Sequence, residues 1–245
     1  MADGAPVAYL ASRSGKSVTR TTGADLVEPL AKAASEDGFR ALIEAAFASA
    51  LETGEAAHAA TLAERALAYP PNLGEGKLPA AQDNNVFFLL GRAHAALGQA
   101  EQAREAFERA ASGPSEPSSA MYYNDQPPDM IFYQGLARRE LGRDAEARQI
   151  FAALAEYGAA HLNDAVQMDY FAVSLPTFLV FDEDLGLRNQ IHCHYMRALG
   201  LLGLGEYAGA QAEFAAVLAL DANHQGAIVH RALVPTQPVE TTGEG

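Results

Sequence analysis

The chain has 245 residues and a formal net charge of −14, from 17 Lys and Arg against 31 Asp and Glu. That length can bury a sizeable core in one domain, and so acidic a chain without a basic stripe excludes nucleic acid as an expected partner. Its single cysteine, Cys193, excludes an intramolecular disulfide and a Cys-rich zinc site.

No run approaches the roughly 18 apolar residues a membrane span needs, and Met1–Gly15 holds no apolar segment of signal-peptide length. The expectation is a cytoplasmic protein with no membrane partner. Residues 1–23 are rich in Ser, Thr, Gly and Ala without a sustained period and read as a flexible leader. Gly15-Lys16-Ser17 lies within it, but a phosphate loop needs glycine where Leu10 stands. Asp25 can cap a short helix holding Leu26, Val27 and Leu30, with Pro29 tolerated in its first turn.

An ordered domain is expected over residues 24–234, built from helical pairs. Pair one, about 39–71, runs Phe39 to Leu51, turns at Gly54 and returns from Ala56 to Tyr69. Pair two, 85–111, turns at Gly98, and pair three, 129–157, turns at Gly142. Pair four, 183–221, turns at Gly205 and opens on a long helix capped by Asp182. Gln225 to Leu233 adds a capping helix ended by Pro235, and 235–245 reads as a disordered tail.

The turn glycines keep a register. Gly54, Gly98, Gly142 and Gly205 each follow a first helix, where the chain must reverse within a few residues and glycine takes a left-handed backbone freely. Ala59, Ala103, Ala147 and Ala210 each stand five residues later, and Phe107, Phe151 and Phe214 four residues after that. Pair one has Ala63 at the Phe position and is expected to pack more weakly. In pair two, Phe87-x-x-Leu90-Gly91-x-x-His94 precedes the turn; pair four ends in Leu220-Asp221-x-Asn223. These residues resemble the tetratricopeptide repeat, whose 34-residue unit carries that spacing. The likeness implies an all-α fold: a right-handed, tetratricopeptide-like α-solenoid of about four pairs, stacked because no unit buries its apolar face alone. Gly-to-Gly steps of 44, 44 and 63 residues then leave inserts of about 10, 10 and 29 residues.

In such arrays the first helices line a groove. Counting from the glycines, the residues expected to face it are Phe88, Arg92, Phe132, Leu136, Arg139, His192, Tyr195 and Leu199. They carry no repeated Lys-Asn pair, which argues against the carboxylate clamp of chaperone-tail receptors. The inserts add Tyr122, Tyr123, Asn124 and Asp125 from the second, Asp169 from the third (162–182), and Asn189 beyond it. Polar groups beside aromatic ones suit a small carbohydrate or peptide; equally, they suit capping and anchoring of the inserts themselves. His192 and His194 are two residues apart, on different helix faces, so no metal site is expected. No nucleophile turn or Ser-His-Asp order is visible, so neither an enzyme nor a cofactor is expected.

Asn72-Leu-Gly-Glu-Gly-Lys-Leu78, Tyr122-Tyr-Asn-Asp-Gln126, Asp169-Tyr-Phe-Ala-Val-Ser-Leu-Pro176 and Asn189-x-x-His192-Cys193 resemble one bacterial group. This is the C-terminal repeat region of large proteins of unknown function whose front part is a galactose-mutarotase-like β domain. The likeness spans roughly Phe39 to Ala232 and implies an accessory module associated with carbohydrate use; the β domain itself has no room in this chain. The function expected is an interaction module for a protein or peptide partner. A small-ligand-binding protein is the alternative, decided by whether the third insert fills the groove.

Overall fold

A computed structural model describes residues 54–67, 82–119, 126–166 and 184–235, all within one compact unit, Ala46–Gly245. The leader, the helix after Asp25, the first helix of pair one, residues 68–81, 120–125 and 167–183, and the tail lie outside the described residues. The described chain is helical and contains no strand.

The second helix of pair one is α1 (Ala56–Leu67). Pair two is α2 (Asn84–Ala96) and α3 (Ala100–Ala110), and pair three is α4 (Pro128–Glu140) and α5 (Asp144–His161). Pair four is α6 (Leu185–Leu204) and α7 (Tyr207–Leu220), and α8 (Gln225–Arg231) follows it. α5 runs a turn beyond Tyr157, where the repeat pattern ends. The cap of α6 is Asp184 rather than Asp182: its carboxylate accepts from the Leu187 amide at 3.0 Å. Asp182 lies outside the described residues.

Local sequence explains why these segments are helices. α3 is made of Ala, Glu, Gln and Arg with one Phe, all but that residue strong helix formers. It buries Ala103, Ala106, Phe107 and Ala110, the one-face spacing of an amphipathic helix. α4 differs, burying residues on nearly every side from Met130 to Ala137. It packs against α2, α3, α5 and α6, so little of its circumference is left for water. Pro127 and Pro128 start it where an amide has no helical partner anyway.

The turns follow the glycine register. Gly54, Gly98, Gly142 and Gly205 have φ of 79°, 72°, 75° and 83°. A Cβ placed on any of them would touch nothing within 4 Å, so what selects glycine there is backbone conformation alone. Deeper in, glycine is selected by contact. Phe107 lies on Gly91 of its own pair; Phe151 is wedged between Gly135 of α4 and Gly203 of α6, whose Cβ would collide with its ring. Ala59, Ala103, Ala147 and Ala210 are all buried, as are Phe107, Phe151 and Phe214, with Ala63 taking the Phe position in α1.

Buried amides fix the segment linking pairs two and three. Asn84 Nδ2 donates to the Ala110 and Ser112 carbonyls, both at 2.8 Å, and its oxygen accepts from Gln126 at 3.3 Å. Gln134 donates to the Pro114 carbonyl at 2.8 Å. The Asn84 bonds satisfy carbonyls at and just past the end of α3 that no helix can pair, and the Gln134 bond satisfies one in the segment that follows.

Two kinds of glycine give two kinds of mutant. Gly142→Ala should cost about 1–2 kcal/mol, the left-handed penalty for an L-residue, and should leave contacts elsewhere unchanged. Gly203→Ala should cost about 1–3 kcal/mol through crowding of Phe151. In a urea-melt double-mutant cycle with Phe151→Leu, the Gly203→Ala cost should be less than additive and the Gly142→Ala cost additive. Additivity in both would remove the Phe151 wedge as the reason for Gly203.

Candidate functional site

The first helices α2 and α4 are in contact, as are α4 and α6, and they carry the residues counted from the turn glycines. Phe88, Phe132, Tyr195 and Leu199 are buried, Leu136 and His192 half-buried, and Arg92 and Arg139 exposed. Phe88, Phe132 and Tyr195 are 6%, 1% and 5% exposed, which makes them core residues in this array. Their rings form a chain: Phe107 to Phe88 at 5.9 Å, Phe88 to Tyr133 at 5.6 Å, Tyr133 to Phe132 at 5.7 Å, and Phe132 to Phe151 at 5.6 Å. The tilted and edge-on geometries are those that ring quadrupoles favour.

Arg139 is exposed at the end of α4, but its guanidinium donates to the Gly203 carbonyl and lies 5.0 Å from the centre of the Phe151 ring. It ties the ends of α4 and α6 together over the wedge. Arg92 is exposed on α2. Leu136 is half-buried and Leu199 fully buried.

Two residues of the long fourth-pair helix serve the backbone. Asn189 is buried and donates to the His161 carbonyl at 2.8 Å, closing the end of α5; its oxygen faces the Cys193 thiol at 3.6 Å. His192 Nε2 lies 2.8 Å from the Ser118 carbonyl, an acceptor, so that nitrogen carries the proton and holds the linking segment against α6. Tyr122, Tyr123, Asn124, Asp125 and Asp169 lie outside the described residues, as does the part of the third insert that would decide whether a groove is filled.

A second cluster surrounds α8. Tyr195 Oη is 3.1 Å from His230 Nδ1, and its ring is 4.6 Å from that of His224. His230 also meets Phe132 and Tyr133, each at 5.6 Å. His224 caps α8 by accepting from the Ala227 amide at 3.0 Å. Burial lowers the pKa of both imidazoles from the ordinary value, with Asp129 pulling each the other way. The sequence marks Gln225 to Leu233 as a capping helix but not the roles of these two histidines. His224 stands three residues before Ala227, the spacing of a side-chain cap, and that was the available signal.

Elsewhere, Glu213 of α7 joins His194 at 2.6 Å and Arg197 at 3.1 Å, clamping α6 to α7. Burial, with Asp164 adding to it, pushes the Cys193 thiol up to about 11, the opposite of what a nucleophile needs. Among the described residues no three His, Cys, Asp or Glu side chains gather to hold a metal. None of the described helices is long and apolar enough to cross a membrane. Two clefts, of about 480 and 310 Å³, lie beside the Gly98 turn and beside Ser115–Pro117; neither includes a site residue expected from the sequence.

A tetratricopeptide repeat family model matches residues 85–112 and 129–157, which are α2–α3 and α4–α5. The fold is a tetratricopeptide-like α-solenoid. No solved structure matches the chain. Pair four lies outside both matches but repeats their spacing, with Gly205 left-handed and Ala210 and Phe214 fully buried. Tetratricopeptide repeats point to a protein partner.

Burial separates the residues that hold this solenoid from those free to act on its surface. Phe132→Ala should lower stability by about 3–5 kcal/mol, as a large ring removed from a packed core does. Arg92→Ala should stay within about 0.5 kcal/mol of wild type. Thermal melts giving both variants the same midpoint would remove Phe132 from the core.

Proposed function

We propose that the chain is a non-enzymatic interaction module that docks a protein or peptide partner on the face formed by its first helices. The observation that supports this reading most is the match of two successive pairs to the tetratricopeptide repeat, with a third helical pair packed against them. Repeat arrays of this kind offer an extended surface, and each pair adds side chains in register to it.

Within that reading, Arg92 is the side chain best suited to contact. It is exposed, it stands on α2 between buried Gly91 and Ala93, and it carries positive charge in an acidic chain. Rigid helix on both sides fixes where its guanidinium leaves the surface, and Arg is enriched among interface residues. The resemblance of the inserts to mutarotase-linked repeat regions extends the proposal to an accessory role in carbohydrate use. Tyr122, Tyr123, Asn124, Asp125 and Asp169 would then be the residues that meet a small ligand.

The test is cross-linked capture from the native cell, comparing wild type with Arg92→Glu and with Gln211→Glu on an exposed site of α7. The partner recovered by wild type and Gln211→Glu should be lost with Arg92→Glu, while melting temperatures stay equal. Equal recovery from all three proteins would refute docking at this face.

A further inference from the structure

The chemistry of α8 differs from that of a plain capping helix, because a histidine secures each end of it. His224 holds the start: its Nδ1 accepts from the Ala227 amide, which needs an unprotonated nitrogen. His230 holds the end. It is 2% exposed and sits among Phe132 and Tyr133 of α4 and Tyr195 of α6. Its Nδ1 is 2.7 Å from the Gly226 carbonyl, an obligate acceptor, so the neutral ring carries its proton there. Its Nε2 is buried and, among the described residues, has no hydrogen-bond partner. A second proton would have to be placed on that nitrogen, in an aromatic pocket with no acceptor for it.

We propose that α8 is an acid-released latch: a proton on each of His224 and His230 unseats the helix from Phe132, Tyr133 and Tyr195.

The charged groups around the two rings set the balance. Asp129 of α4 faces both, and Asp221 at the exit of α7 faces His224; both carboxylates favour the protonated rings. His224 in turn disfavours a proton on His230. Tyr133 and Tyr195 present neutral rings, Glu213 of α7 is held by His194 and Arg197, and Arg231 on α8 itself is exposed. Burial outweighs the carboxylates at both sites, so the docked imidazoles titrate below the ordinary value and the released ones at it. Docking is therefore fully favoured above that ordinary value, about 6.5, and is weakened as pH falls below it toward the docked values. Backbone fit adds to the latch: a Cβ at Gly226 would collide with the Tyr195 hydroxyl, so α8 rests directly on that ring.

The release does not depend on the interaction reading above, and it is measured on the protein alone. Hydrogen exchange of amides 225–231 is followed on the full chain from about pH 7.5 to about pH 5, corrected for intrinsic rates. In wild type the opening constant of α8 should rise by up to about 100-fold per pH unit, the slope for uptake of two protons. His224→Asn keeps an N-cap acceptor and His230→Phe keeps a ring in the pocket; each should reduce the slope to about tenfold. The double variant should be flat. Asp129→Asn removes a charge that stabilises the protonated docked state, so its opening should continue to rise to lower pH than in wild type. Two results would overturn the latch: a wild-type opening constant independent of pH, or amides of residues 191–204 opening with the same slope as α8. The wild-type slope alone decides this even where a variant does not fold.

Discussion

The described array depends on one contact, the Phe151 ring held between Gly135 of α4 and Gly203 of α6. Phe151 lies on α5, so a single side chain joins the first helix of its own pair to the first helix of the next. Glycine at both positions lets the ring approach the helix backbones more closely than any larger residue would. Nearby, Gly158 of α5 faces the Cys193 carbonyl and Gly200 of α6 faces Ala155, so α5 and α6 pack backbone to backbone along much of their length. Arg139 covers the wedge and pins the Gly203 carbonyl, which keeps the two first helices in register. In pair two, Phe107 lies against a single glycine among the described residues, Gly91.

From this wedge the core extends as a line of rings. Phe107, Phe88, Tyr133, Phe132 and Phe151 run across pairs two and three, and His230 and Tyr195 continue the line to α8. Each pair is too small to bury its own apolar face, so the rings couple neighbours that would otherwise fold weakly. The ring that α8 adds to this line is chemically distinct, because it is an imidazole. Under the proposed latch, that titratable ring makes the α8 contact sensitive to pH while the phenylalanine contacts behind it are not.

Much of this fold was legible in the sequence because its determinants are local. A left-handed turn needs glycine, a close helix pair needs Ala five residues later, and the space beyond needs Phe; all three fall at fixed spacing within one unit. The site was less legible because exposure is not local. Phe88 and Tyr195 occupy positions that count as groove-facing, yet they are buried by neighbours from other pairs and from α8. His230 was hidden for the same reason, since its partners lie 35 residues away on α6 and further still on α4. The cap of α6 was misplaced by two residues because Asp182 and Asp184 offer the same chemistry, and only the backbone tells them apart.

Polar residues beside aromatic ones looked like a binding constellation for a reason that is itself physical. The groups that recognise ligands are those that close unpaired helix ends: amides, imidazoles and carboxylates that meet a lone carbonyl or amide. Asn84, Gln134, Asn189 and His192 all do this here, each donating to a carbonyl at a helix end or in the segment that follows one. The inserts multiply such ends, so an array with inserts needs more of these residues than a plain one. A polar side chain therefore counts toward function only once the backbone's own demand is met. Among the described residues Arg92 closes no helix end, and it leaves the surface between two buried residues of a helix packed on both sides. That combination of free chemistry and fixed position is what a docking surface requires.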